Sequence, residues 1–179
     1  NLITDKDSTA AILFTSGSEK QPKAVPLSHH NLISNHKSGT TFLELTSQDT
    51  ILAFLPPFHS FGLSVTGILP ILLGMRMVFH PDPTDASTLA AKLKAYEVTL
   101  LIGTPTFLSH ILDKASKTTL DKLRLIISGA EKCPPTVFKL AHKVAPHAKL
   151  LEGYGITECS PVVAVNPPHL QKKESVGKP

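Results

Sequence analysis

Short apolar runs recur along this chain, and residues that favour turns separate them. Several runs are apolar at nearly every position, which is typical of strands that are buried on both faces of a parallel sheet. The strands predicted in this way span residues 11–14, 51–55, 75–79, 99–102, 123–128, 149–152 and 162–165.

Helical signals fill the segments between these runs. Ser28 is a candidate N-cap, and Leu89, Leu93 and Tyr96 have the spacing of one helix face. Prolines 105 and 134 or 135 stand where a helix can begin. The predicted helices span residues 28–41, 61–73, 85–96, 105–114 and 134–144.

Alternating strands and helices predict an α/β fold with a mainly parallel β-sheet flanked by helices. Ligands of such sheets bind beyond the carboxyl ends of the strands. We therefore expect functional residues in the loops that follow Phe14, Leu55, Ser128 and Glu152.

The composition narrows the classes of partner. The 18 Lys and Arg exceed the 14 Asp and Glu by four in a chain of 179 residues, and no basic run interleaves with aromatic residues. Nucleic acid is therefore not an expected partner, whereas an acidic small molecule or an acidic protein fits this charge. Cys133 and Cys159 have no metal or disulfide spacing, which favours reduced thiols and a cytoplasmic setting.

Residues 50–75 contain no Asp, Glu, Lys or Arg, and this uncharged stretch is long enough to cross a bilayer. Its prolines and glycines favour a strand, a turn and a buried helix instead. The beginning lacks the features of a signal peptide, and both ends look cut, so we expect a piece of a longer protein.

The loop after Phe14 is long and polar. Thr15, Ser16 and Ser18 offer hydroxyls, Gly17 allows a close approach of the backbone, and Lys23 adds a positive charge. Such a loop suits phosphate, although a polar surface loop before a capped helix would also explain it.

A P-loop phosphotransferase is the nearest rival for this segment, because Gly17 and Lys23 have the separation of its glycine and lysine. The rest of that motif is missing. Pro22 replaces the second glycine, Ala24 replaces Ser or Thr, and Pro26 prevents a helix from beginning at the lysine.

Two further loops carry weaker signals. In LPPFHSFG, His59 stands near Phe58 and Phe61, where it could line an apolar site and orient a carboxylate or simply be packed. In ISGAEK, small residues could lie against a flat ring or form an ordinary turn. His29, His30 and His36 lack metal spacing, so we expect them on a helix surface.

The segment EGYGITE leaves the strand at 149–152. Glu158 occupies the third glycine position of GxGxxG, which disfavours a dinucleotide site. Tyr154 can present its ring to a base, Thr157 can bond a phosphate, and Glu158 can bind Mg²⁺ through hard oxygen atoms. The chain has no G-x-S-x-G motif, which weakens a serine hydrolase interpretation.

Taken in order, the blocks TSGSEKQPKAVPLSH, LPPFHSFG, ISGAEK, GYGITECSP and SVGKP resemble the signatures of the adenylate-forming superfamily. That superfamily includes acyl-CoA synthetases, luciferases and adenylation domains. The blocks look closest to those of long-chain fatty acyl-CoA ligases and of the acyl-ACP synthetases linked to 2-acylglycerophosphoethanolamine acyltransferases. The resemblance implies that residues 1–179 are the central part of an N-terminal AMP-binding domain, without the C-terminal domain that supplies a catalytic lysine.

The resemblance also implies roles for individual residues. Thr157, Glu158 and Lys23 would be catalytic, Glu158 as the Mg²⁺ ligand, and His59, Phe58 and Phe61 would border the acyl group. The implied nucleotide-binding residues are Thr15, Ser16, Gly17, Ser18, Lys23, Gly129, Ala130, Glu131, Tyr154, Gly155 and Thr157.

The implied reaction is ATP-dependent activation of a fatty acid to acyl-AMP, followed by transfer to a thiol of CoA or acyl carrier protein. Cytoplasmic location, with possible membrane association of the longer protein, goes with this expectation. Glu19 and Lys20 stand where the family has Thr-Gly, and this departure leaves a second hypothesis open. In that hypothesis the chain is a non-catalytic module that binds a nucleotide or a carrier protein.

Overall fold

A six-stranded sheet organises the molecule, with the strand order β4-β3-β5-β6-β7-β8. The first five strands in this order are parallel, and β8 pairs antiparallel with β7. This computed structural model describes residues 5–15, 21–172 and 175–177. Its strands are β1 Thr9–Thr15, β2 Lys23–Ser28, β3 Thr50–Ala53, β4 Arg76–Phe79, β5 Leu100–Gly103, β6 Leu125–Ser128, β7 Lys149–Gly155 and β8 Val162–Val165.

Helices follow most strands, as the sequence pattern predicts. Ser28 caps the first helix, because its hydroxyl accepts the Asn31 backbone N–H at 3.1 Å. The helices are α1 His29–Phe42, α2 Ser60–Gly62, a π-helix Leu63–Ile68, α3 Leu69–Leu73, α4 Ala86–Ala95, α5 Pro105–Lys114, α6 Pro135–Val144 and a 3₁₀ turn Thr157–Cys159. The α/β fold with a mainly parallel sheet is therefore confirmed.

The core lies on both faces of the central strands. Every residue of β3, β5 and β6 is buried, including Ile51, Leu101 and Ile126. Burying a side chain of this size stabilises the fold by about 1.5–3 kcal/mol. This burial explains why these strands appear in the sequence as continuous apolar runs.

The first strand corrects one prediction. We predicted a single strand that leads through a long loop to the first helix, but residues 23–28 form a second strand that pairs antiparallel with β1. Leu13 of β1 and Leu27 of β2 pack with Leu32 of α1. Pro26 made this segment look unlike a strand, because proline cannot donate to a ladder. In a two-stranded sheet one side of each strand needs no donor.

The helix predicted over 61–73 has the expected extent, but its centre is a π-helix. The turn before it is tight. A Cβ added to Gly62 would lie 2.1 Å from the carbonyl oxygen of Pro56, so a side chain at this position cannot be accommodated without movement. Within the described residues no helix is long and apolar enough to cross a membrane, and the uncharged stretch forms strand and helices as the sequence favoured.

A partly buried ion pair joins the amino ends of three strands. Arg124 donates from Nε and Nη2 to the Asp49 carboxylate at 2.7 and 2.6 Å, and the Thr99 hydroxyl donates to Asp49 Oδ1 at 2.7 Å. Burial by itself would raise the pKa of Asp49. Hydrogen bonds from Arg124, the Thr46 backbone N–H and Thr99 outweigh it and lower that pKa below its ordinary value. These residues form the amino-edge network.

Candidate active site

A cavity of about 550 Å³ lies at the carboxyl ends of the parallel strands, where the fold class predicts a ligand site. Its lining comes from β1, β2, α1, the helical segments between 60 and 69, the ends of β5 and β6, and the chain from β7 to β8. Its lining includes these residues of the predicted site: Thr15, Lys23, His59, Phe61, Gly129, Ala130, Tyr154, Gly155, Thr157 and Glu158.

The two-stranded sheet of β1 and β2 brings two polar residues to the cavity lining. Thr15 and Lys23 face each other as partners across β1 and β2, so the strand pairing fixes their proximity. The predicted phosphate-binding residues Ser16, Gly17 and Ser18 lie outside the described residues, as do Glu19 and Lys20. Their roles stay predictions.

The end of β7 and the 3₁₀ turn after it bring an aromatic ring, a hydroxyl and a carboxylate to the cavity lining. Tyr154 is 50% exposed beside the cavity, and Thr157 and Glu158 follow in the 3₁₀ turn. Gly155 is needed here, because a Cβ on it would lie 2.4 Å from the Pro161 carbonyl oxygen. The Ile156 N–H donates to that same oxygen at 2.9 Å and holds the turn.

The segment after β6 forms another wall. The Gly129 N–H donates to the Gly103 carbonyl at 3.1 Å, and a Cβ on Gly129 would lie 3.1 Å from the Phe61 ring. Ala130 has a φ of 70°, a left-handed conformation that is uncommon for alanine. Glu131 does not line the cavity, and the Thr106 hydroxyl donates to its carboxylate at 3.3 Å.

Only some of the predicted residues in the LPPFHSFG segment line the cavity. His59 and Phe61 line the cavity, whereas Phe58 is 79% exposed and lies outside the lining. The Phe61 backbone N–H donates to His59 Nδ1 at 3.3 Å, which leaves Nε2 to carry the ring proton. His59 can therefore donate a hydrogen bond toward a ligand oxygen. The structure gives no support to Phe58 as a substrate contact.

Part of the cavity lining is apolar. This apolar lining is defined by Leu43, Leu45, Val65, Leu69 and Val165. Leu43 and Leu45 follow α1, and the other three residues come from the π-helix, α3 and β8. Lys23 and Glu158 are the charged side chains among the described lining residues, other than histidines, and neither belongs to this set.

Sequence reasoning placed one histidine wrongly and missed several lining residues. His36 is buried rather than on the helix surface, and its Nδ1 and Nε2 lie 2.7 and 3.0 Å from the carbonyl oxygens of Leu32 and Ser64. The spacing of Leu32, His36 and Leu43 already marks one helix face, and this signal could have predicted the burial. The missed lining residues include Asn35, His36, Thr40, Ser60 and Ser64.

Asn35 ties α1 to the segment that carries the polar groups. Its Nδ2 donates to the carbonyls of Cys159 and Val162 at 3.2 and 2.7 Å, and its Oδ1 accepts the Val162 N–H at 3.2 Å. The side chain is therefore fully used in holding the turn that contains Thr157 and Glu158.

The donor set fits a phosphate and a hard cation. Hydroxyl oxygens of Thr15 and Thr157, the Glu158 carboxylate and the Lys23 ammonium face one cavity. The described residues contain no group of three or more His, Cys, Asp or Glu side chains that could hold a metal without other ligands. A Mg²⁺ ion bound here would therefore have Glu158 as a protein ligand and would need oxygen atoms of a bound ligand or water.

Known proteins are similar to this chain in sequence. The AMP-binding enzyme family matches residues 1–179. The long-chain-fatty-acid–CoA ligase of Yersinia pestis is 33% identical over 177 residues, which cover 96% of this chain and 31% of that protein. The oxalate–CoA ligase of Arabidopsis thaliana is 34% identical over 188 residues, which cover 99% of this chain and 36% of that protein.

A solved structure supports the fold. The crystal structure of ATP-bound MatB from Rhodopseudomonas palustris superposes with a TM-score of 0.80 at 29% identity, covering 98% of this chain and 33% of that one. The chain thus spans about a third of the length of the curated relatives named above. By its matched residues and its fold, the chain belongs to the AMP-binding enzyme family of the adenylate-forming superfamily.

Proposed function

We propose that the protein containing this chain is an AMP-forming acid–thiol ligase that activates a fatty acid with ATP and transfers the acyl group to a thiol. The observation that carries the proposal is that one cavity is lined both by the polar residues Lys23, Thr157 and Glu158 and by the apolar lining. An acyl adenylate has a charged phosphoryl group and an apolar tail in one molecule, and this cavity has surfaces that complement both.

The proposed reaction has two steps. An oxygen of the fatty carboxylate attacks the α-phosphorus of ATP, the bond to the β-phosphate oxygen breaks, and pyrophosphate leaves. The sulfur of a pantetheine thiol then attacks the acyl carbon, the thiol proton is lost to solvent or a base, and AMP leaves with the oxygen it shared. Magnesium, when bound, neutralises phosphate charge.

The described site residues other than Phe58 have a proposed part in this reaction. Lys23 and Thr15 bind the departing phosphates, Thr157 donates to an α-phosphate oxygen, and Glu158 holds the metal. Tyr154 stacks on adenine. The backbone of Gly129, Ala130 and Gly155 lies along the base, and Glu131 is near its edge. His59 and Phe61 border the reacting carboxylate.

The apolar lining favours a monocarboxylic acid with a hydrocarbon chain. Relatives named for a long-chain fatty acid and for oxalate are almost equally similar to this chain, so identity does not choose between these acids. A second carboxylate would have to sit among Leu43, Leu45 and Leu69 without a cationic partner, which is costly. CoA is the proposed acceptor, with acyl carrier protein as the alternative that the acceptor assay separates.

We also propose that the chain is the central part of an N-terminal AMP-binding domain and that a C-terminal domain supplies a further lysine. The one-third coverage of the relatives supports this proposal. We expect the 179 residues alone to bind ligands but to form no acyl-AMP. The complete protein is proposed to be cytoplasmic, with peripheral membrane association through other segments.

Thermal unfolding of this chain tests the ligand assignment. A saturating ligand at about a hundred times its Kd should add roughly 2.7 kcal/mol to the free energy of unfolding. We expect a nonhydrolysable long-chain acyl-adenylate analogue to stabilise the chain more than Mg-ATP, and an oxalyl analogue to do no better than AMP. Equal stabilisation by both analogues would contradict the fatty-acid assignment.

Pyrophosphate exchange by the complete protein tests the catalytic assignment. Exchange that depends on a fatty acid supports the ligase. Binding of nucleotide without exchange would support the non-catalytic module that Glu19 and Lys20 leave open. Acyl transfer to CoA and to a holo carrier protein, measured side by side, identifies the acceptor.

A further inference from the structure

Two hydroxyl groups meet at the edge of the cavity. Ser60 Oγ, at the start of α2, lies 2.9 Å from Thr157 Oγ1, although the residues are 97 positions apart. Ser60 is 5% exposed, and its hydroxyl has no other hydrogen-bond partner among the described residues. Both side chains line the cavity.

The two hydroxyls have one hydrogen each, so the direction of this bond decides what Thr157 offers to a ligand. If Thr157 donates to Ser60, Thr157 presents only lone pairs to the cavity. If Ser60 donates to Thr157, the Thr157 hydrogen is free to point at an oxygen of the ligand.

We propose that Ser60 is a positioning residue that donates to Thr157 Oγ1 and so directs the Thr157 hydrogen toward a phosphoryl oxygen. The inference rests on the proposed function, in which Thr157 contacts the α-phosphate. Ser60 itself does not touch the reacting atoms in this assignment. It acts through Thr157.

Local structure holds both backbones in place. The His59 N–H donates to the Pro56 carbonyl at 3.2 Å, and Gly62 packs against the same carbonyl oxygen, which anchors the start of α2 around Ser60. The Ser160 N–H donates to the Thr157 carbonyl at 3.1 Å within the 3₁₀ turn. With the backbones held, the freedom that remains lies in the two side chains, and the bond between their hydroxyls restricts it.

The benefit of this orientation grows as negative charge develops on the phosphoryl oxygen. A preoriented donor stabilises the transition state more than bound ATP, so its loss lowers kcat more than it changes KM. A hydroxyl–hydroxyl bond of ordinary strength corresponds to a rate factor of roughly five to ten.

The test is fatty-acid-dependent pyrophosphate exchange by the complete protein. Ser60→Ala should lower kcat about fivefold to tenfold and leave KM for ATP within about twofold. Thr66→Val is the matched control, because Thr66 is buried on the same helical segment and its hydroxyl donates to the Gly62 carbonyl at 2.8 Å without lining the cavity. We expect kcat of this control to stay within about twofold of wild type.

A double-mutant cycle separates positioning from general damage. In the Thr157→Val background, Ser60→Ala should have no further effect on kcat, because the hydroxyl it orients is gone. The same loss in both backgrounds, or a wild-type kcat for Ser60→Ala, would overturn the inference while leaving the ligase intact. Absence of exchange by the wild-type protein would overturn the proposed function and, with it, this role of Ser60.

Discussion

The two ends of the parallel strands use polar residues in opposite ways. At the amino ends, Asp49, Thr99 and Arg124 satisfy one another through short hydrogen bonds. At the carboxyl ends, the Lys23 and Glu158 side chains face the cavity and make no hydrogen bond or ion pair to another described residue.

This difference separates stability from function. A polar group that is paired inside the protein contributes to folding, whereas an unpaired group at a cavity is available to a ligand. Changes in the amino-edge network should therefore lower stability and spare activity. Changes at the cavity should do the reverse.

The largest expected effect is the loss of the Glu158 carboxylate. In the complete protein, Glu158→Gln should lower pyrophosphate exchange by about a hundredfold or more, because the metal loses its charged protein ligand. The melting temperature should stay near that of wild type. Near-normal exchange by this variant would refute the metal assignment, and Asp121→Asn, the same chemical change at another exposed carboxylate, serves as the control.

The next effect is on stability. Asp49→Asn should lower the free energy of unfolding of this chain by about 2 kcal/mol, because it weakens two bonds from Arg124 and leaves that guanidinium without its counter-charge. Arg124 is 39% exposed and can recover hydration, which keeps the loss below that of a fully buried pair.

Thermal or urea unfolding measures this loss, and a shift of roughly 4–8 °C is expected for a chain of this size. Exchange by the complete Asp49→Asn protein, measured well below its melting temperature, should match wild type. A large fall in kcat of the Asp49→Asn protein would contradict the assignment of the amino ends to stability and the carboxyl ends to function.

Removing the Tyr154 ring should have a smaller effect, confined to nucleotide binding. Tyr154→Ala should weaken AMP binding about tenfold, because stacking of a base on an aromatic ring contributes about 1–3 kcal/mol. Tyr154→Phe keeps the ring and is the control. Titration calorimetry measures both, and equal affinities for the alanine and phenylalanine variants would remove Tyr154 from the adenine site.

The smallest expected effect is a dependence of stability on pH. The pKa of Asp49 is lower in the folded chain than in the unfolded one, so its contribution is present above the unfolded pKa and is lost as pH falls through the folded pKa. The stability difference between wild type and Asp49→Asn should therefore shrink below about pH 4. Unfolding of both proteins between pH 3 and 7 measures it, and a constant difference would contradict the ionised pair.

Much of the fold could be predicted from local sequence. The strands β3, β5 and β6 are apolar at every position, and Ser28 and Pro105 marked helix starts that the structure confirms within a residue. The π-helix at 63–68 and the strand at 23–28 could not be predicted. Their hydrogen bonds depend on packing and on β1 rather than on a periodic pattern.

The site was partly predictable for a similar reason. Tyr154, Thr157 and Glu158 follow a strand in one short motif, so strand direction alone places them at the ligand edge. Ser60 and Asn35 carried no motif signal, because their partners Thr157 and Val162 come from another part of the chain.

The sequence by itself determined the sheet type, most of its elements and the edge at which polar groups gather, because these follow from local hydrophobic pattern and chain direction. Only the tertiary structure decided that His36 is buried, that Phe58 is exposed outside the cavity lining and that Ser60 meets Thr157. Those outcomes depend on contacts between residues distant along the chain, and no local pattern specifies such contacts.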